Sequence, residues 1–400
     1  MTQSIRPVKG FRFSAVSAGI KKVDSTRLDF ALIVSDRPAE AAAVTTTNLV
    51  FAAPVEITRR RAARGRLSAV VINSGNANAF TGARGLEDAL DLTAAVAQSL
   101  KVDPELVAPM STGVIGQPLP MERILPKVQE LASGLDRGAF MDVATAILTT
   151  DTLPKTVLQK AEIGGIPVTM AGMAKGAGMI APNMATLLCV ILTDVKVESS
   201  FLREALAEAM RDSFNAITVD GDMSTNDTVI VLAGGHESAV ELGSAHSDRE
   251  AFRSLLNGAC ANLARKIVQD GEGVTKVVEV CVCGASDNEA AMQVARTIAD
   301  SPLVKTAFHG EDPNWGRIIC AAGRAGIPFA PDRVDLFIGN VPIVQEGTIV
   351  ESDWEPAAHR RMKAGEFQVR LDLKSGDGEA RILTTDLSEE YVSINADYRS

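Results

Sequence analysis

The sequence is short of aromatic side chains. Phe, Trp and Tyr make up 4% of its 400 residues, with two tryptophans and two tyrosines. A core must therefore be built from Ala, Val, Leu, Ile and Met, which the 46% apolar share supplies. Positive charge is also in deficit: 40 Lys and Arg face 50 Asp and Glu, a net charge of −10. That balance argues against the basic face of a nucleic-acid binder. The one basic run, TRRRAARGR from Thr58 to Arg66, reads most simply as a solvated surface turn, with an anion site as the sharper alternative. Long apolar runs are missing. No window reaches the roughly 18 uncharged apolar residues of a membrane helix. The opening MTQSIRPVKGFRF has no apolar run behind its charges and reads as lacking a signal peptide. Neither a membrane nor a nucleic-acid partner is expected.

Cysteine and histidine are sparse as well. The five cysteines are Cys189, Cys260, Cys281, Cys283 and Cys320. Cys281 and Cys283, two apart, share one face of a strand, and that spacing fits no zinc pattern. All five sit in apolar settings and read as reduced core residues of a cytoplasmic protein; no metal site is expected. There are four histidines. His236 and His246 stand in a polar, loop-like segment. His309, in FHGEDPNWGRI, is the only one in a motif-like setting and reads as a structural hydrogen-bonding residue. No Ser-His-Asp or Cys-His constellation is legible, and no G-x-S-x-G.

What is present is an alternation of strands and helices in one large domain or two. DFALIVSD (29–36) and LSAVVINSG (67–75) read as strands. Helical spacing marks 87–100 and 121–135, the latter interrupted by Pro126. VLQKAEIGGIPVTMAGM reads as a hairpin turning at Gly164-Gly165. Residues 199–215 form a helix with a serine cap, and 248–269 a long one. VVEVCVCG is a strand, followed by a helix capped by Asp287 or Asn288. Short strands dominate the last hundred residues, so a smaller α+β unit is expected from about residue 285.

One stretch, AKGAGMIAPNMATLLCVILTD (174–194), resists an ordinary reading. Gly176, Gly178 and Ala181 fit G-x-G-x-x-A, with Asp194 at the distance of a ribose-binding acid. That motif needs a helix directly after its glycines, yet Pro182 and Asn183 interrupt and strand-like sequence follows. In VDGDMSTNDT, Asp220, Asp222, Asn226 and Asp227 suggest a calcium loop, but the EF-hand glycine and closing glutamate are missing, so capped turns are expected. Threonine remains. Its hydroxyl is a weak nucleophile unless a base adjoins it, and a threonine that begins a chain carries its own α-amine as that base. The α-amine titrates near pH 8, closer to neutrality than lysine. An internal threonine gains it only if its hydroxyl attacks the preceding carbonyl and water hydrolyses the ester. Asn183-Met184-Ala185-Thr186 supplies a small residue before a threonine in a glycine-rich approach. The plainer reading is a structural threonine opening a buried strand.

Further segments bear on that choice. KGAGMIAPNMATLL resembles the autocleavage segment of the ornithine acetyltransferases, also called the glutamate N-acetyltransferases of arginine biosynthesis. VINSGNANAFTG, PMSTGVIG, TTDT, FNAITVDGDMSTNDT, DGEGVTK, GEDPNWGRI and YVSINADY resemble the same family, in its order, across essentially the whole chain.

The resemblance implies an α/β layered sandwich akin to the N-terminal-nucleophile hydrolases but with its own topology. It implies cleavage between Ala185 and Thr186 into an α chain, 1–185, and a β chain, 186–400, which associate as α2β2. Thr186 would then carry an acetyl group from N2-acetylornithine to glutamate, with Thr112 and Gly113 as the oxyanion donors. Family contacts map onto Thr152, Lys175, Thr186, Glu272, Asn395 and Ser400. Lys175 suits a substrate carboxylate and Glu272 the ornithine amine; at position 400 the family often has threonine. No cofactor is implied, though some members accept acetyl-CoA as a co-substrate. A related self-processing amidase or aminopeptidase is the rival enzyme reading, and a non-catalytic binding protein of the same fold the third.

Overall fold

The computed structural model describes residues 8–23, 25–135, 139–181, 187–236, 239–243 and 245–397. Two sheets organise them. The first contains β1 (Phe11–Val16), β2 (Phe30–Thr45), β3 (Arg66–Asn76), β4 (Val107–Val114), β5 (Lys155–Ile163), β6 (Ile166–Lys175), β7 (Leu188–Thr193) and β8 (Thr228–Ala233). Its order is β4-β3-β2-β8-β7-β6-β5, with β1 paired to β2. The helices among these strands are α1 (Ala53–Ala62), α2 (Gly82–Leu100), α3 (Met121–Ser133), α4 (Phe140–Ala146), α5 (Ser199–Arg211) and α6 (His246–Gln269).

The middle of this sheet is buried on both faces. Cys189 and Ile191 of β7 pack with Leu202 of α5 and Phe252 and Leu263 of α6. Leu188, Val190 and Leu192, on the other face, join Phe13 and Phe140. A strand covered on both sides reads as a continuous apolar run, and LLCVILT is one. Helices therefore sandwich the sheet, which is the α/β layered class expected. Among the described residues no helix is long and apolar enough to cross a membrane.

The second sheet begins at β9 (Val277–Ala285) and adds β10 (Asp335–Ile338), β11 (Val341–Gln345), β12 (Thr348–Ile349), β13 (Glu366–Asp372) and β14 (Gly378–Thr385). Its order is β12-β11-β10-β13-β9-β14. With α7 (Asn288–Ala299), α8 (Pro302–His309), α9 (Trp315–Gly323) and α10 (Glu355–Met362) it forms a smaller α+β unit, and α11 (Glu389–Asp397) closes the chain. Its core takes in Val278, Val280 and Val282, so β9 belongs to it as well.

Several local expectations meet their structural reasons. Gly164 and Gly165 turn the β5–β6 hairpin with positive φ at both, the geometry of a two-residue type I′ turn. Asp287 caps α7 by accepting the Ala290 amide. The cap before α5 is Glu198, without a side-chain bond, and not a serine: Ser199 is already helical. β2 runs nine residues past the expected end, because a register shift between Val34 and Ala39 carries the strand across Asp36, Arg37 and Pro38. The cysteines are not all core. Cys320 is exposed on α9, whose buried side is Ile318, Ala321 and Ala322. Cys281 and Cys283 do share a face of β9, but it is the side away from the valines, where Cys281 receives the Gln368 amide. The basic run is part helix and part exposed turn: residues 63–65 are the turn, and Arg60, Arg64 and Arg66 are exposed while paired with Glu105 or Glu40. It lies in and just after α1, where Arg61 is buried against Glu105 and Arg64 also reaches that carboxylate.

Candidate active site

Three strand ends meet at one point. β6 ends at Lys175, which pairs across the sheet with Leu188 at the start of β7, and Leu188 pairs in turn with Thr228 at the start of β8. Beyond these ends lies a cavity, partly open to solvent. Thr112, Gly113, Lys175, Glu272 and Asn395 all line it, so five of the residues singled out in the sequence converge.

Thr112 and Gly113 stand near the end of β4, beside a register irregularity with β3 at Gly75 and Asn76. The φ of Gly113 is +131°, and a Cβ there would lie 2.3 Å from the Gly75 carbonyl carbon, so only glycine fits. The Lys175 ammonium lies 3.3 Å from the Thr112 hydroxyl oxygen. An ammonium can only donate, so the Thr112 oxygen accepts and its own proton is left to donate elsewhere.

Lys175 is 3% exposed. Its charge is only partly matched: Asp151 lies 3.9 Å away but is bonded to the Lys155 ammonium at 2.7 Å. Burial, opposed by Asp151 and reinforced by Lys155, lowers the Lys175 pKa. Burial pushes the Asp151 carboxyl up, but Lys175 and Lys155 outweigh it and hold it at about 2. Asp151 also accepts the amides of Gly176, at 2.6 Å, and Thr149, at 3.0 Å. It fixes the backbone next to Lys175 as well as its charge.

Glu272 follows the end of α6, where its amide donates to the Ala177 carbonyl at 3.0 Å. Its carboxylate faces Gly178: a Cβ on that glycine would lie 2.3 Å from Oε2. The Asn395 side-chain amide donates to the same Oε2 at 2.7 Å. α11 carries Asn395 together with the apolar residues Tyr391, Val392 and Ile394. It buries none of them, and Val392 is 61% exposed. Polar ties hold it instead: the Tyr391 hydroxyl donates to Asp220, and the Ser388 hydroxyl to the Gly273 carbonyl at 2.6 Å.

Thr152 does not line the cavity. It is exposed, and its hydroxyl and amide both donate to Asp270; Thr149 and Thr150 stand at the wall instead. Ala185, Thr186 and Ser400 lie outside the described residues. His309 pairs with Asp386 at 2.7 Å. Asn226, weighed in the sequence only as part of a calcium loop or capped turn, also lines the cavity, and its amide ties the Ala77 carbonyl to that of Ser111, at 2.6 and 2.8 Å. Its signal was its place in VDGDMSTNDT, read there as a turn. No group of three or more metal-ligating side chains occurs among the described residues.

A layered α/β chain that sets a lysine and a glutamate on one cavity, with a hydroxyl donor beside the lysine, has the make-up of a small-molecule enzyme. The chain belongs to the ArgJ family, whose model matches residues 12–400. It is 50% identical to the arginine biosynthesis bifunctional protein ArgJ of Geobacter sulfurreducens, over 98% of this chain and all of that one. To its counterpart from Syntrophotalea carbinolica it is 49% identical, over 98% of this chain and 99% of that one. Among solved structures, ArgJ from Bacillus halodurans matches with 39% identity and a TM-score of 0.49, covering 51% of this chain and 96% of that one. An ornithine acetyltransferase from Mycobacterium tuberculosis complexed with ornithine matches with 37% identity and a TM-score of 0.40, covering 46% of this chain and 96% of that one.

Proposed function

We propose that this chain cleaves itself between Ala185 and Thr186 and then transfers the acetyl group of N2-acetylornithine to glutamate. The α chain, 1–185, and the β chain, 186–400, stay together as α2β2 in the cytoplasm. The observation that carries the reading is the pairing of Lys175 and Glu272 on one cavity with the Thr112 and Gly113 backbone between strand ends. Both substrates are α-amino acids with a carboxylate for Lys175. Only one has a side-chain amine, and Glu272 is its natural partner. Relatives named for arginine biosynthesis support a role in that pathway.

The new α-amine of Thr186 takes the hydroxyl proton as the oxygen attacks the acetyl carbonyl. Thr112, by its hydroxyl, and Gly113, by its amide, receive the oxyanion. Collapse breaks the bond to nitrogen, the proton passes to the departing ornithine amine, and acetyl-Thr186 remains. The glutamate amine then attacks the ester, and the same steps in reverse restore Thr186. Asn395 stands at the wall beside Glu272; Ser400 is assigned a substrate contact on the resemblance alone, and Thr152 lies off the cavity. The relatives' designation as bifunctional fits a second activity, acetylation of glutamate from acetyl-CoA.

Incubation with N-acetylornithine, with and without glutamate, tests the reading. Transfer gives N-acetylglutamate only when glutamate is present. Free acetate regardless of glutamate would mark a hydrolase and overturn it.

A further inference from the structure

No cluster of three or more metal-ligating side chains occurs in the stretch from Thr218 to Thr228, and two of its carboxylates, Asp220 and Asp227, accept amides of another segment. Asp220 accepts the Met179 and Ile180 amides at 2.6 and 2.9 Å. The Ile180 carbonyl receives the Val219 amide at 2.8 Å and the Thr218 hydroxyl at 3.1 Å. The grip recurs at Leu187. Its amide donates to Asp227 at 2.8 Å, and its carbonyl receives the Thr228 amide at 3.0 Å. One stretch therefore holds both ends of the interval 180–187, within which the Ala185–Thr186 bond falls. Asp227 is fully buried, and Asp220 is also bonded by Tyr391.

We infer that Asp220 and Asp227 are positioning residues for chain cleavage, each hydrogen-bonded to one flank of the scissile interval. The inference rests on the self-cleavage proposed above. In that step the Thr186 oxygen bonds to the Ala185 carbonyl carbon, the C–N bond breaks, and the hydroxyl proton passes to the freed amine. One water then hydrolyses the ester, leaving an Ala185 carboxylate and the Thr186 hydroxyl. The attack needs its atoms about 3–3.5 Å apart, and a misplacement of about 1 Å can cost on the order of 10²-fold in rate. Two tethered ends remove conformations that an untethered interval would sample.

The test follows cleavage of the freshly synthesised full chain on gels over time. Asp227→Ala, which leaves the Leu187 amide without its acceptor, should slow cleavage by on the order of 10²-fold. Asp227→Asn keeps an acceptor oxygen and should cleave at near the wild-type rate. Asp220→Asn offers one acceptor oxygen where two amides use two, and should slow cleavage about tenfold. The same substitutions in an uncleavable Thr186→Ala chain should leave cooperative melting and the far-UV spectrum intact. If Asp227→Ala does not fold, Asp220→Asn carries the test. Wild-type rates in Asp227→Ala or Asp220→Asn, with Thr186→Ala uncut, overturn the inference alone. Asp227→Asn as slow as Asp227→Ala overturns it too, because charge and not position would then be at work. A wild-type chain that never cleaves overturns the proposed function itself.

Discussion

The Lys175 ammonium sits 3.3 Å from the Thr112 hydroxyl oxygen, and this contact aims the one proton that Thr112 has. With its lone pair engaged by a cation, the hydroxyl is a better donor toward charge that develops in the cavity.

Thr112→Ala should therefore lower kcat by roughly 10²-fold or more, with a smaller change in KM, because the lost interaction is strongest with the oxyanion. Thr112→Ser keeps the hydroxyl and should recover much of the rate. Steady-state kinetics with N-acetylornithine and glutamate decide it. A KM effect with kcat untouched would place Thr112 in substrate binding and not in the oxyanion site.

Asp151 holds two buried ammonium groups, Lys155 at 2.7 Å and Lys175 at 3.9 Å. Asp151→Asn leaves them facing a neutral amide, and removing one partner of a buried pair typically costs about 3–5 kcal/mol. The folded-state pKa of Asp151, about 2, is below its ordinary value. Its ionised form therefore contributes stability above about pH 4, and that contribution is lost as pH falls toward about 2. Urea unfolding should show the gap between wild type and Asp151→Asn widest near neutral pH and closing across that acid window. A gap independent of pH there would mean the carboxylate charge is not what holds the lysines.

The central strands were legible because burial on both faces leaves a run such as Leu188–Thr193 wholly apolar. β2 was half legible, since Asp36, Arg37 and Pro38 read as an end where a register shift lets the strand continue. Residues of the site that stand in motif-like segments, Thr112, Gly113, Lys175, Glu272 and Asn395, were found. Asp151 was not, although TTDT was quoted, because its partner Lys155 is shared with Asp270, 115 positions away from that lysine. Nothing local announces such a cluster. The attachment of α11 is not legible either, for a related reason. Tyrosine and β-branched residues predict apolar packing, yet the helix is held by single polar contacts from Tyr391 and Asn395.

Those contacts bear on how the pocket tells its two substrates apart. Glu272 is held between Gly178, which leaves it room, and Asn395, which donates to it at 2.7 Å. Asn395→Asp replaces that donor with a second carboxylate. Two like charges at this spacing repel, so α11, with no buried residue of its own, should detach from this point. The added negative charge should also disfavour glutamate more than N-acetylornithine. The expected outcome is a rise in KM for both substrates, larger for glutamate, with chain cleavage unaffected. Gly178→Ala approaches the same carboxylate from the other side. Its Cβ would lie 2.3 Å from Oε2, at the free end of a flexible side chain, so Glu272 should swing away without loss of stability. Its loss should fall mainly on N-acetylornithine, whose amine needs Glu272. Measuring both Michaelis constants in both variants separates the two effects. Equal changes for the two substrates in both variants would remove Glu272 from the discrimination, and unchanged kinetics in Asn395→Asp would leave α11 as a surface helix with no part in the site.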